Sequence, residues 1–259
     1  MMKRVELFNL PFIAAEDHGQ VVQEVLRWPL EPERTGELPL LSTPNVDQVV
    51  RLHRPEHAGL LNQIGHARYV LPDGQPIVWV SKWKKHKELP ARLAGSDLFP
   101  ALWRQLAGSG KPVLMVLAND SIGDALKREH PDMRWIVPPF YAAEDQVAER
   151  EVVDAVLAAW VARPVPLVFL GLGFPKQERL ALQLIERLRG TAAPLPLFLL
   201  LGASFEFHAG LKKRAPVIFR KLGLEFFHRF LSEPRRMFRR YFVDDLAFLG
   251  LAIKELRKR

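Results

Sequence analysis

The chain has 259 residues, 48% of them hydrophobic and 25% charged, a balance that suits one large globular domain, or one domain with an appendage. It contains no cysteine, which excludes disulfides, thiolate metal sites and cysteine nucleophiles and fits a reducing compartment. The net charge of +8 is unevenly spread: residues 211–259 hold 14 Lys and Arg against 5 Asp and Glu, and residues 1–210 hold 23 against 24. The pull toward anionic surfaces therefore belongs to the last fifth of the chain.

The first ten residues alternate like a strand and lack the apolar stretch of a secretory leader. The longest apolar run, around Leu195 to Leu201, is far short of the roughly 20 residues that span a bilayer. The expectation is a protein made and kept in the cytoplasm.

In chain order, Val5–Leu10 reads as a strand, Gly19–Trp28 as a helix, Leu38–Ser42 as a strand and Val46–His53 as a helix. Ala67–Leu71, Pro112–Leu117, Trp135–Val137, Pro166–Gly171 and Leu197–Gly202 are further short apolar runs bounded by Pro, Gly, Asn or Asp, the pattern of buried strands. Between them the helical spacing recurs at Gln75–Trp83, Asp97–Leu106, Ile122–His130, Asp145–Val161 and Lys176–Leu188. Such alternation predicts βαβ crossovers and an α/β fold with a mainly parallel sheet covered by helices on both faces. In such sheets ligands bind at the carboxyl ends of the strands, so the loops just after strands are the candidate site.

From Leu211 to the end, strands give way to helices. Glu233-Pro234 opens a helix in which Arg235, Arg236, Arg239 and Arg240 form two i,i+4 pairs, with Phe238, Tyr241 and Phe242 between them. Phe242, Leu246, Leu249 and Ile253 continue as an apolar stripe. Such a helix lies in a membrane interface, or it packs its stripe on the main domain with its arginines in water.

Four strand-to-helix loops carry candidate chemistry. Thr43 and Asn45 follow the Leu38–Ser42 strand and either bind a polar ligand or, for Asn45, cap the next helix. Asp73 ends the Ala67–Leu71 strand and is either a turn residue or a rigidly held base. Gly171, Gly173, Lys176 and Gln177 form a glycine turn into a helix N-terminus, which is either a tight connection or an anion site. Glu206, in Gly202-Ala203-Ser204-Phe205-Glu206, either reaches the crevice or is solvated. His53 and His57 stand at i,i+4, but Pro55 lies between them and a third ligand is not apparent, so no metal site is expected.

Taken together these motifs resemble the WecG/TagA/CpsF glycosyltransferases, glycosyltransferase family 26. The likeness is carried by Thr43-Pro44-Asn45, Asp73-Gly74, Arg92 with Gly95-Ser96-Asp97, and Gly171-Leu172-Gly173 with Pro175-Lys176-Gln177-Glu178. It continues through Ala209-Gly210, Arg214-Ala215-Pro216, Gly223-Leu224-Glu225, Arg229 and Glu233-Pro234-Arg235-Arg236 with Arg239-Arg240-Tyr241. The resemblance implies a compact single-domain, Rossmann-like glycosyltransferase fold over residues 1–210 with a helical, basic C-terminal appendage over residues 211–259. It implies inverting transfer of a sugar from a UDP-sugar to a polyprenyl-diphosphate-linked acceptor, without a required metal or cofactor. The sugar in such enzymes is N-acetylmannosamine, its uronic acid or glucose, and the product is a surface polysaccharide or wall polymer.

By the same likeness Asp73 matches the base, and Thr43, Asn45, Arg92 and Gln177 match polar site residues. Arg229, Arg236 and Arg239, with Arg214, match an appendage that covers the site and meets the membrane. The chain departs from the family pattern at Leu117-Ala118-Asn119, at Pro139-Phe140-Tyr141, at Glu206 and at Phe226. The expected partners are thus the nucleotide sugar, the lipid-linked acceptor, an anionic inner membrane surface and a dissociable second copy. A nucleotide-binding scaffold without catalysis is the alternative, motivated by the changed mid-chain loops. Nucleic acid would suit clustered arginines, but no nucleic-acid motif accompanies them, and none is expected as a partner.

Overall fold

The computed structural model describes residues 2–28, 36–84, 87–189, 194–212 and 245–258. Eight strands form one sheet: β1 (Arg4–Leu7), β2 (Leu10–Ile13), β3 (Leu38–Ser42), β4 (Ala67–Val70), β5 (Val113–Val116), β6 (Met133–Ile136), β7 (Leu167–Leu170) and β8 (Leu197–Leu200). Their order is β1-β2-β4-β3-β8-β7-β5-β6. β1 runs antiparallel to β2, and every other neighbouring pair is parallel. The runs at β5, β7 and β8 are buried at every position, as strands covered on both faces must be.

The helices are α1 (His18–Leu26), α2 (Val46–Leu52), α3 (Ala58–Ile64), α4 (Gln75–Lys82), α5 (Gly95–Ser109), α6 (Asp120–Glu129), α7 (Gln146–Ala162), α8 (Lys176–Leu188), α9 (Ser204–His208) and α10 (Asp245–Arg257). Side chains that satisfy free first-turn amides fix several starts. Asp17 accepts from Gln20 N, Asn119 from Ile122 N, and Asp145 from Val147 N and Ala148 N. Asn45 and Gln48 make a reciprocal capping box at α2.

Two buried clusters flank the sheet. One gathers α2, α3, α4, α7, α8 and α10, and the other gathers α1, α5 and α6 with Phe205 of α9. Crossovers that step toward β1 (β3 to β4, β6 to β7, β7 to β8) use the first face, and those that step toward β6 (β2 to β3, β5 to β6) use the second. A constant crossover hand requires this division. Neighbours β5 and β7 therefore feed helices on opposite faces, which opens a crevice at their carboxyl ends.

Three expectations change. The run Val5–Leu10 is not one strand but the first half of a hairpin, turning at Phe8 and Asn9 with φ of 54° and 55°. A 3₁₀ turn at Pro55–His57 and helix α3 fill the stretch before β4. Of the two readings of the apolar stripe, packing on the main domain does not hold for its described side chains, Leu249 and Ile253. α10 docks through Phe248, Ala252 and Glu255, while Leu249 and Ile253 are 57% and 45% exposed. Phe248 packs on Phe8 with ring centroids 5.4 Å apart, and Glu255 meets Lys84 at 2.7 Å. The side chains of Phe242 and Leu246 lie outside the described residues.

Candidate active site

The carboxyl ends of β3, β4 and β8 converge on Gly95, the first residue of α5. Thr43, just past β3, is buried, and its hydroxyl donates to the Leu200 carbonyl at 3.3 Å. A Cβ on Gly95 would lie 2.9 Å from Thr43 Oγ1 and 3.3 Å from both Ser204 Oγ and Leu201 Cδ2. Only a residue without a side chain permits that approach. Asp73, half-buried three residues beyond β4, accepts a hydrogen bond from the Gly95 amide at 3.2 Å, while its own amide donates to the Pro44 carbonyl at 3.3 Å. A carboxylate on the first amide of a 15-residue helix satisfies one of that helix's free N–H groups. It is thereby held in one orientation.

Arg92 stands beside this pair, with its guanidinium 3.4 Å from Asp97 of α5. The loop that carries it is tied to the end of β4, for Leu93 N donates to the Pro72 carbonyl at 2.9 Å. His18, at the start of α1, closes the cluster: its Nε2 lies 3.2 Å from the Ala94 carbonyl. Burial lowers its pKa, an effect only partly offset by Asp97, so the ring is neutral at pH 7 and Nε2–H is the donor. Nothing in the sequence singled out His18, because a lone histidine at a helix start has no distinguishing spacing.

The second half of the site is the turn from β7 into α8. Gly173 has φ of 74°, a left-handed conformation that suits glycine. Gly171 lies so close to Phe205 that a Cβ would come within 2.7 Å of its ring. Lys176 folds its ammonium over Tyr141, 4.6 Å from the ring centroid, and bonds the Tyr141 carbonyl at 3.2 Å. Phe140, on the same loop, lies 5.2 Å from that ammonium. Burial pushes the Tyr141 phenol up to about 12, with Glu149 adding to the rise.

Gln177 is buried, and its Nε2 donates to Glu178 Oε1 at 3.1 Å. That fixes the amide so that Oε1, which has no partner among the described residues, faces Gly202 at the end of β8. Leu201 borders Gly95 and Gly202 borders Gln177, so the two halves of the site meet along one strand end.

The remaining expected residues divide. Asn45 Oδ1 is committed to capping α2, accepting from Gln48 N at 3.1 Å. Glu206 sits in α9 and pairs with Lys212 rather than forming part of the Gly95 cluster. His53 Nδ1 lies 2.8 Å from the Val49 carbonyl, and His57 packs edge-on against Phe174. Arg214, Arg229, Arg236 and Arg239 lie outside the described residues. The structure also adds Glu178, a buried acid that the sequence motif contains without a role being assigned to it.

Comparison with known proteins falls on the same ground. Residues 5–259 match the model of the Glycosyl transferase WecG/TagA/CpsF family. A similar curated protein is the N-acetylglucosaminyldiphosphoundecaprenol N-acetyl-beta-D-mannosaminyltransferase of Bacillus spizizenii (strain ATCC 23059 / NRRL B-14472 / W23). It is 32% identical over 186 residues, which cover 71% of this chain and 67% of that protein. With a match across nearly the whole length and an α/β sheet whose strand ends assemble the motif residues, the chain is a glycosyltransferase of the WecG/TagA/CpsF family.

Proposed function

We propose that the protein transfers a sugar of the N-acetylmannosamine type from a UDP-sugar to an acceptor carried on a polyprenyl diphosphate, with inversion at the anomeric carbon. The acceptor class is that named for the Bacillus spizizenii relative. The observation that carries the reading is Asp73 Oδ2 on the Gly95 amide, beside Thr43 and Arg92. The carboxylate takes the proton of the acceptor hydroxyl as its oxygen attacks the anomeric carbon. The bond from that carbon to the diphosphate breaks, and UDP departs with the electron pair. A base must be rigid and close to the proton it removes, and a strand end tied to a helix amide is rigid.

Charge gathers on the leaving diphosphate, and fixed donors must meet it. In this reading Arg92 and Lys176, at the two halves of the site, do so, with Gly171 and Gly173 letting the backbone approach. Arg214, Arg229, Arg236 and Arg239 of the appendage add cationic cover. Thr43 and Gln177 orient sugar or acceptor. Residues 211–259 are assigned as the appendage that keeps the enzyme on the inner face of the membrane.

The test is product analysis. UDP-N-acetylmannosamine is incubated with N-acetylglucosamine diphosphate on a short prenyl tail, and the product is examined by proton NMR. The expected result is one UDP released per disaccharide and a linkage inverted relative to the donor. A retained linkage contradicts the mechanism, and no transfer from any UDP-sugar contradicts the assignment.

A further inference from the structure

The far end of α4 carries a surface that neither the sheet nor the active-site cluster uses. Trp79 and Trp83 stand four residues apart on one face, 45% and 72% exposed. Indole rings ordinarily bury most of their area, and two left open on one helix face mark a contact surface. The sequence holds four lysines from Lys82 to Lys87, of which Lys82, Lys84 and Lys87 are described, and no acidic residue between Asp73 and Glu88. Lys82 is exposed, and Lys87 lies against the carbonyl of Glu6 at 3.3 Å. Among the described lysines of this stretch, Lys84 turns inward, to Glu255 of α10. That contact brings the end of α10, with exposed Lys254 and Arg257, beside the end of α4.

We propose that this aromatic and basic end of α4 is a docking surface for an anionic lipid bilayer. Tryptophan settles at the level of lipid headgroups, and lysines beside it attract anionic phosphates. A second copy of the chain is disfavoured as occupant, because a symmetric contact would set the exposed Lys82 side chains of two copies against each other with no acidic residue between Asp73 and Glu88 to offset them. No described helix is long and apolar enough to cross a membrane, so binding at the surface is the mode these helices allow.

The placement also matches the chemistry. α4 begins two residues after Asp73 and runs for eight residues, about 12 Å. Docking by its far end holds the carboxylate one short helix away from the headgroups. A sugar tied to lipid by a diphosphate presents its hydroxyl in that zone. The inference rests on the proposed lipid-linked acceptor for its purpose, but not for its test.

The full-length protein is mixed with vesicles of phosphatidylglycerol and phosphatidylcholine, or of phosphatidylcholine alone, and sedimented. Wild type should bind the anionic vesicles and not the neutral ones. The double variant Trp79→Ala/Trp83→Ala should bind about tenfold more weakly or worse, and Lys82→Glu should weaken binding most at low salt. The double variant should unfold at the wild-type temperature and keep the wild-type rate on the short-tailed acceptor, losing rate only on acceptor embedded in vesicles.

Binding of the double variant as tight as wild type overturns the proposal. So does conversion of an oligomer to a monomer with vesicle binding unchanged, which would make the surface an interface between copies. Wild-type protein that binds vesicles through these residues yet transfers no sugar upholds the docking surface and contradicts the function.

Discussion

The carboxyl of Glu178 sits wholly inside the protein, and burial pushes it up to about 7 against the opposing hydrogen bond from Gln177 and the charge of Arg51. The folded state therefore keeps a proton that the unfolded chain releases near pH 4.5. Between those values the native state binds more protons, so stability falls as pH rises and stays lower above about 7. The loss reaches about 3 kcal/mol at most. Glu178→Gln should abolish this slope, melting close to wild type at pH 5 and at a higher temperature at pH 8. Equal melting temperatures at both pH values would contradict the burial argument.

Gly95→Ala tests the convergence of strand ends from the other side. Its Cβ has no room beside Thr43 Oγ1 and Ser204 Oγ, so about 1–3 kcal/mol of stability should be lost in chemical denaturation. Transfer should fall with it as the Asp73 contact shifts. Asp73, Thr43 and Gln177 were legible in the sequence because each follows an apolar run. Their convergence through Gly95, Leu201 and Gly202, and the part of His18, depend on a sheet order that no local pattern encodes.

Among the elements, α10 teaches most about what hydropathy hides. The stripe from Phe242 to Ile253 is the visible pattern, yet the docked face includes Glu255, a charged residue. Its burial is tolerated because Lys84 and Lys258 reach it at 2.7 and 2.8 Å. Burial raises the pKa of Glu255, but the hydrogen bonds from Lys258 and Lys84 outweigh it and hold the group below its ordinary value. The stabilisation is therefore present above the unfolded value and disappears as pH falls through the lower folded one.

Hydrogen exchange across residues 247–257 should show α10 opening as pH falls below the ordinary carboxylate range while the central strands stay protected. Glu255→Ala should open it at pH 7, since removing one partner of a buried pair costs about 3–5 kcal/mol. Unchanged protection in that variant would mean that Phe248 and Ala252 suffice. The hairpin of β1 and β2 escaped notice for a related reason. Its turn uses Phe8 at positive φ without a glycine to announce it, and Pro11 lies within β2.

At the scale of the whole molecule, the parallel sheet was readable because β3, β5, β7 and β8 are short apolar runs separated by helical spacing. The strand order was not, and it decides function: it sets β8 between β3 and β7, so that Leu201 and Gly202 join the Asp73 cluster to Gln177. The charge asymmetry was equally plain, but α4 shows that cations outside the last fifth also serve one side of the protein. Binding to anionic vesicles should accordingly weaken as salt is raised.

The account turns on Asp73 as the group that takes the acceptor proton, and single-turnover transfer by Asp73→Asn measures this most directly. The amide keeps the shape and can still meet the Gly95 N–H through its oxygen, but it cannot accept the proton. With UDP-sugar and short-tailed acceptor both saturating, the chemical step should slow by about 10²–10⁴-fold while nucleotide-sugar affinity and melting temperature stay near wild type. A variant that folds, binds donor and transfers sugar at the wild-type rate would contradict the account.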